Sequence, residues 1–224
     1  MIITMKANST ELVFILDRSG SMSGMESDTI GGFNAMLKKQ QNEPGECRIT
    51  TVLFDDKYEV LHDRVDIKAV RKITGSDYFV RGCTALLDAI GTTIKKMKKV
   101  QKSTAEEYQA DKVVFVITTD GMENSSREYT YDKVKSMVKQ QKKKHNWEFI
   151  FLGANIDAID VAGKVGIAAN RTQNFHNDAE GVQLNYAVVS ETIAMHRAAP
   201  ACSSLPDNWG DKISSDFKSR SSSV

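Results

Sequence analysis

The chain has 224 residues, with 30 lysines and arginines against 29 aspartates and glutamates. This length is enough for one well-buried domain, with little chain left for a second. The formal net charge of +1 gives no overall attraction to nucleic acid or to an anionic membrane surface, so we expect neither as a partner. The three widely spaced cysteines, without a Cys-x-x-Cys pair, argue against a disulfide framework or a zinc site and favour a reducing compartment.

The first ten residues lack the charged-then-apolar pattern of a secretory signal peptide. The longest apolar runs in the sequence are of strand length, which is too short to cross a bilayer. From these two features the sequence predicts a cytoplasmic protein without a membrane span.

The first predicted strand is followed directly by a group of oxygen-bearing side chains. Residues 12–16 form a continuous apolar run, which is typical of a strand buried on both faces. Asp17, Ser19 and Ser21 follow at intervals of two, and alternate residues of an extended loop point to the same side. Gly20 allows the backbone to turn tightly between the serines. Three small oxygen ligands that face one point suit a hard divalent cation, magnesium most naturally.

Predicted strands and helices alternate along the rest of the chain, without an internal repeat. Further strands are predicted over 48–54, 58–62, 112–118, 148–152 and 172–175. Helices are predicted over 25–41, 65–73, 85–100, 131–143, 156–165 and 179–197. The tight turn at Asp55-Asp56 predicts a hairpin between the second and third strands. This order predicts an α/β fold with a doubly wound, mostly parallel sheet that has one antiparallel edge strand.

Two later residues are expected at the same edge of this sheet as Asp17. Asp120 follows the predicted strand 112–118, and Thr84 lies in the loop before the helix 85–100. Ligands of doubly wound sheets bind outside the carboxyl ends of the strands, where the winding direction reverses. The predicted topology and the polar residues therefore indicate the same place.

These three elements resemble the metal-ion-dependent adhesion site of von Willebrand factor A domains. The first family motif, Asp-x-Ser-x-Ser, matches residues 17–21; Thr84 matches the threonine of the second element, and Asp120 matches the aspartate of the third. The resemblance extends over residues 11–197. Cys83 departs from the pattern, because the family often has a second glycine immediately before its threonine.

The resemblance implies a Rossmann-like fold, a bound Mg²⁺ (or Mn²⁺ or Ca²⁺) and a division of roles among five metal-site residues. Ser19 and Ser21 would bind the cation directly, Thr84 directly or through water, and Asp17 and Asp120 mainly through metal-bound waters. A cation held largely by neutral oxygens keeps an open position for an Asp or Glu carboxylate of a partner protein. The implied function is a metal-dependent protein-binding module, an adaptor or scaffold without catalytic residues. The nearest likeness is to stand-alone bacterial or phage A domains, including those associated with tellurite resistance.

Two other functional classes are alternatives: an enzyme and a structural domain. A magnesium-dependent phosphatase of the haloacid dehalogenase type also begins with an aspartate after its first strand, but it needs a second acid where this chain has Ser19. None of the four histidines is predicted to lie at the metal edge, so hydrolysis by an activated serine or cysteine also lacks a base. The other alternative is a structural A domain whose site stays unoccupied.

The C-terminal residues differ in composition from the rest of the chain. We predict a single A domain over 1–199 and a polar tail over 200–224, rich in serine and carrying Trp209. One hypothesis is that the tail delivers a carboxylate to a metal site as a tethered ligand. Its candidate residues are Asp207, Asp211 and Asp216.

Overall fold

The computed structural model describes residues 8–221, and within that range the chain forms one sheet of six strands. The strands are β1 (Ser9–Asp17), β2 (Glu46–Phe54), β3 (Tyr58–Asp66), β4 (Lys112–Thr119), β5 (Glu148–Ala154) and β6 (Thr172–Phe175). Their order across the sheet is β3-β2-β1-β4-β5-β6, and only β3 runs antiparallel to its neighbour. The predicted doubly wound α/β sheet with one antiparallel edge strand is therefore confirmed.

Helices cover both faces of the sheet. They are α1 (Glu26–Asn42), α2 (Leu86–Ser103), α3 (Tyr131–His145), α4 (Ala158–Lys164), α5 (Ala179–Ala198) and α6 (Asp211–Ser221). None of these helices, within the described part of the chain, is long and apolar enough to span a membrane.

The central strand β1 supplies both layers of the core. Its side chains alternate, so that Leu12 and Phe14 pack against α1 and α5 on one face, whereas Val13 and Ile15 pack towards α2 and α3 on the other. All four are fully buried. A strand that is covered on both faces needs the continuous apolar run seen in the sequence, which is why that run identifies it.

The segment 65–73 differs from its prediction as a short helix. Strand β3 continues to Asp66, with Val65 paired to Ile49 of β2, and only one 3₁₀ turn follows, at Ile67–Ala69. Asp66 caps this turn by accepting a hydrogen bond from the backbone N–H of Lys68. Short apolar runs do not distinguish strand from helix by periodicity, and pairing with β2 decides the case here.

The C-terminal segment also differs from its prediction as a polar tail. Leu205, Trp209 and Ile213 recur at intervals of four, and all three are buried in the core layer that contains α1 and α5. Ile213 lies in the first turn of helix α6, and the indole N–H of Trp209 donates to the carbonyl of Asn170 at 2.8 Å. Three buried apolar side chains are enough to pack this segment on the domain, although its average composition is that of a polar tail. Residues 222–224 of the predicted tail lie outside the described range.

Candidate metal centre

The site lies where β1 and β4 end side by side. These strands are parallel and adjacent, with Leu16 opposite Thr118, so the residues that follow them emerge at the same edge. Asp17 and Asp120 are both almost completely buried there, at 1% and 2% exposure. The register of this one strand pair therefore brings together carboxylates that are far apart in the sequence.

Both carboxylate oxygens of Asp17 accept hydrogen bonds. The backbone N–H of Ser19 donates to Oδ1 at 2.7 Å, and the hydroxyl of Thr119 donates to Oδ2 at 2.5 Å. The first bond closes the turn that aims the two serines, and the second ties β1 to β4. Thr119 has no part in the sequence prediction, and no signal in the sequence separates it from other strand threonines.

Asp120 is likewise bonded through both oxygens. The Ser21 hydroxyl donates to Oδ1 at 2.5 Å, and the Asn177 side-chain amide donates to Oδ2 at 3.0 Å. The Ser19 hydroxyl lies 3.1 Å from that of Ser21. Because Ser21 gives its only proton to Asp120, its oxygen retains lone-pair capacity for another partner.

Three hydroxyl oxygens surround one small space beside Gly121. A β-carbon built on Gly121 would lie 2.9 Å from Thr84 Oγ1, 3.0 Å from Ser21 Oγ and 3.7 Å from Ser19 Oγ. A side chain at this position would therefore fill the space on which the hydroxyls converge. The two aspartates are joined to this group by hydrogen bonds, Asp120 to the hydroxyl of Ser21 and Asp17 to the backbone N–H of Ser19.

The loop that carries Thr84 is attached to the loop that carries the serines. The N–H of Gly20 donates to the carbonyl of Gly82 at 3.2 Å, and the N–H of Arg81 donates to the carbonyl of Arg18 at 2.9 Å. Gly82 has φ +68°, a conformation that favours glycine, and a β-carbon on it would also meet the side chain of Asp56. The neighbouring Cys83, by contrast, is exposed.

A second attachment joins Thr84 to the loop after Asp120. The backbone N–H of Thr84 donates to the side-chain oxygen of Asn124 at 2.9 Å, and the N–H of Asn124 donates back to the Thr84 carbonyl at 3.0 Å. Glu123 of the same loop accepts the N–H of Leu87, in the first turn of α2, at 2.9 Å. The loop around Thr84 is thus held from both sides, and Glu123 serves the helix N-terminus rather than the solvent.

A network of ion pairs, with Arg18 and Asp55 fully buried at its centre, holds the loops that follow β1 and precede α2. Arg18 has no exposed surface; its Nε donates to Asp55 Oδ2 at 3.0 Å and its Nη2 to Glu59 Oε2 at 2.7 Å. Arg81 donates to the same Asp55 oxygen at 2.7 Å. Arg18 occupies a variable position of the Asp-x-Ser-x-Ser motif, and the motif gives no indication of this structural role.

No positively charged side chain of residues 8–221 pairs with the two site carboxylates. Burial raises the pKa of Asp17 to about 6, against hydrogen bonds from Thr119 and Ser19 that lower it, and burial also raises the pKa of Asp120. Neither residue forms an ion pair with any lysine, arginine or histidine in residues 8–221. A cation between them would favour the ionised forms of both.

The chemistry of the donors fits a hard divalent cation. Hydroxyl and carboxylate oxygens are the ligands that Mg²⁺, Mn²⁺ and Ca²⁺ accept, and the three hydroxyls already face one space. The described residues contain no group of three His, Cys, Asp or Glu side chains placed to hold a metal. The hydroxyls are therefore an essential part of the candidate donor set.

Solved structures with the same fold come from varied organisms. The chain resembles proximal thread matrix protein 1 from the mussel byssus (14% identity, TM-score 0.58, covering 84% of this chain and 47% of that one). It also resembles VWA2, a paralogue of ArnB from Sulfolobus acidocaldarius (18% identity, TM-score 0.52, 83% and 45%). A third is the vWF domain of the type V pili tip protein Mfa5 from Porphyromonas gingivalis (11% identity, TM-score 0.60, 90% and 99%).

This chain spans less than half the length of the first two proteins and nearly all of the Mfa5 domain. No family model matches the sequence, and no curated protein matches it either. At such low identities the likeness establishes the fold alone.

Proposed function

We propose that this chain, which has the von Willebrand factor A fold, is a metal-dependent protein-binding module that captures an acidic side chain of a partner through Mg²⁺ at the site of Asp17, Ser19, Ser21, Thr84 and Asp120. The observation that carries the proposal is the convergence of three hydroxyls on the space beside Gly121, next to two buried carboxylates that form no ion pair within residues 8–221. Mn²⁺ or Ca²⁺ would satisfy the same donors.

The roles proposed for the residues are those that the resemblance implies. Ser19, Ser21 and Thr84 would contribute neutral oxygens to the cation, and the two aspartates would compensate its charge. Since the cation receives little negative charge from its neutral ligands, it retains affinity for a further carboxylate. The chain's own contribution is to hold these oxygens in place through three mutually attached loops.

The hydrolase alternative gains no support from the arrangement. A phosphatase of this type needs a general acid beside its nucleophilic aspartate, but the groups bonded to Asp17 are the Ser19 backbone N–H and the Thr119 hydroxyl. We therefore propose a binding function rather than an enzymatic one. The position of Ser19 also lacks the second carboxyl that would act as general acid.

The proposal is tested with peptides of defined chemistry. A display library of random peptides with a central Glu is selected on the immobilised protein, beside a matched library with a central Gln. We expect enrichment from the Glu library only, in Mg²⁺ but not in chelator, and no enrichment on a Thr84→Val variant. Equal enrichment from both libraries, or enrichment that is insensitive to chelator, would contradict the proposal.

A second assay addresses the alternatives. Phosphate release from p-nitrophenyl phosphate that is lost in Asp17→Asn would instead favour the hydrolase. Absence of any Mg²⁺ binding by the intact protein would favour a structural domain with an unoccupied site. A cytoplasmic location and a relationship to stand-alone bacterial or phage A domains, including the tellurite-resistance type, remain predictions from the sequence.

A further inference from the structure

Asn177 reaches the candidate site from a loop outside the three that carry the motif residues. It lies between β6 and α5, and its side-chain Nδ2 donates to Asp120 Oδ2 at 3.0 Å. The other oxygen of Asp120 is taken by Ser21. Asn177 is therefore the group that fixes the second half of this carboxylate, so that the carboxylate has one orientation.

The oxygen of the same amide is buried and accepts no hydrogen bond from the described residues. An amide oxygen buried without a partner costs about 1–3 kcal/mol, so native proteins rarely leave one unsatisfied. It belongs to a side chain that already contacts the candidate site. A water held at the site is a donor of the kind this acceptor lacks.

The loop that carries Asn177 is held by the C-terminal helix. The ring of His176 stacks on that of Phe217, with centroids 4.7 Å apart, and its Nε2 lies 3.1 Å from the Phe217 carbonyl. On the other side of Asn177, Asp178 forms an ion pair with Arg220. Both neighbours of Asn177 are thus attached to α6.

The same loop is packed closely on the start of α5. Asp178 caps the helix by accepting the N–H of Gly181 at 2.9 Å, and a β-carbon on Gly181 would lie 2.1 Å from the carbonyl of His176. The backbone of the loop therefore has little room to move towards α5. Its position is set by α5 on one side and by α6 on the other.

Two of the three aspartates considered as tethered ligands have ion-pair partners outside the candidate site. Asp207 bonds to Arg171, just before β6, at 3.0 Å, and Asp216 lies 3.4 Å from Arg220 of α6. The C-terminal segment reaches the site instead through the loop 176–178. The contacts that the structure shows are therefore those of a support for this loop.

We propose that Asn177 is a positioning residue of the metal site, which orients Asp120, and that α6 sustains cation affinity by clasping the loop on which Asn177 lies. The inference rests on the proposed function, because it concerns the same cation. It adds a residue and a helix that the three-part motif does not contain.

The first test measures Mg²⁺ affinity by calorimetry in the wild type, in Asn177→Ala and in Asn174→Ala as a matched control. Asn174 lies on β6 and bonds the N–H of Ala158 at 3.0 Å, away from Asp120. We expect the dissociation constant to rise at least about tenfold in Asn177→Ala, the usual effect of removing a group that orients a ligand, and to change little in the control. Unchanged affinity in Asn177→Ala, with a wild type that binds Mg²⁺, would overturn the inference and leave the proposed function standing.

The second test needs no metal. Amide hydrogen exchange is measured in chelator for the double variant Phe217→Ala, Arg220→Ala, with Lys212→Ala as a control on the same helix, where an exposed ion pair with Glu191 is lost. We expect faster exchange at 176–178 and also at 120–122 in the double variant only. Unchanged exchange at 176–178 would overturn the clasp, and faster exchange confined to 176–178 would overturn the link from this loop to Asp120. A wild type that binds no Mg²⁺ would overturn the proposed function, while this measurement still decides the positioning role.

Discussion

Ser21 and Asp120 are separated by 99 positions in the chain, yet the hydroxyl of the first donates to the carboxylate of the second across 2.5 Å. The bond joins the loop after β1 to the loop after β4. The hydroxyl proton of Ser21 points to the buried carboxylate, and its oxygen lies near Gly121. This pair is the centre of the candidate site, and the predictions below follow from it and from its supports.

Replacing Gly121 by alanine should block the site while preserving the fold. The added methyl would lie about 3 Å from the hydroxyls of Thr84 and Ser21. We expect Gly121→Ala to lose the Mg²⁺-dependent rise in Tm while melting in chelator within a few degrees of the wild type. The matched control is Gly163→Ala, where a β-carbon meets no atom within 4 Å; it should keep the full Mg²⁺ response, and loss of the response there would contradict this explanation.

Magnesium should stabilise the intact protein against heat. A ligand that binds only the folded state adds about 2.7 kcal/mol at a concentration 100 times its Kd, which corresponds to roughly 5–10 °C in Tm for a domain of this size. Thr84→Val keeps the shape of the side chain but removes its oxygen, so we expect most of this shift to disappear. Differential scanning calorimetry with and without Mg²⁺ measures both, and an equal shift in the variant would exclude Thr84 as a ligand.

The ion pair between Arg18 and Asp55 should be critical for stability. Asp55→Ala removes the buried carboxylate that pairs with the fully buried Arg18 and leaves Arg18 with the half-exposed Glu59, and breaking a buried pair in this way costs about 3–5 kcal/mol. Urea denaturation should show this loss. Asp63→Ala is the control, because its ion pair with Lys96 is largely exposed and its removal should cost no more than about 1 kcal/mol. Equal losses in the two variants would contradict the role given to burial.

His196 should make folding stability depend on pH. Burial, with smaller contributions from Lys112 and Arg171, lowers the pKa of His196 to about 4, whereas an unfolded histidine titrates near 6.5. The unfolded state therefore binds more protons below pH 6.5, and stability should fall from there towards pH 4, by about 2 kcal/mol at pH 5. Urea melts of the wild type and of His196→Gln between pH 7 and pH 5 isolate this contribution, and parallel curves for the two proteins would refute it.

Short-range patterns were sufficient for much of this fold. The bounds of β6 match the predicted strand 172–175, and α5 ends one residue beyond the predicted helix. Such elements depend on periodicity and on nearby turn residues, which are legible in a single sequence. The segment 65–73 and helix α6 were missed, because pairing with β2 decides the first and burial of three isolated apolar side chains decides the second.

The sequence by itself determined the chemistry of the candidate site: an acid and two hydroxyls after one buried strand, a threonine before a helix, and an acid after another buried strand. Only the tertiary structure decided that these groups meet, because the β1–β4 register sets which loops are neighbours. It alone also revealed Thr119, Asn177 and Arg18 as supports of the site. Their roles arise from contacts between residues distant in sequence, and a linear pattern carries no record of such contacts.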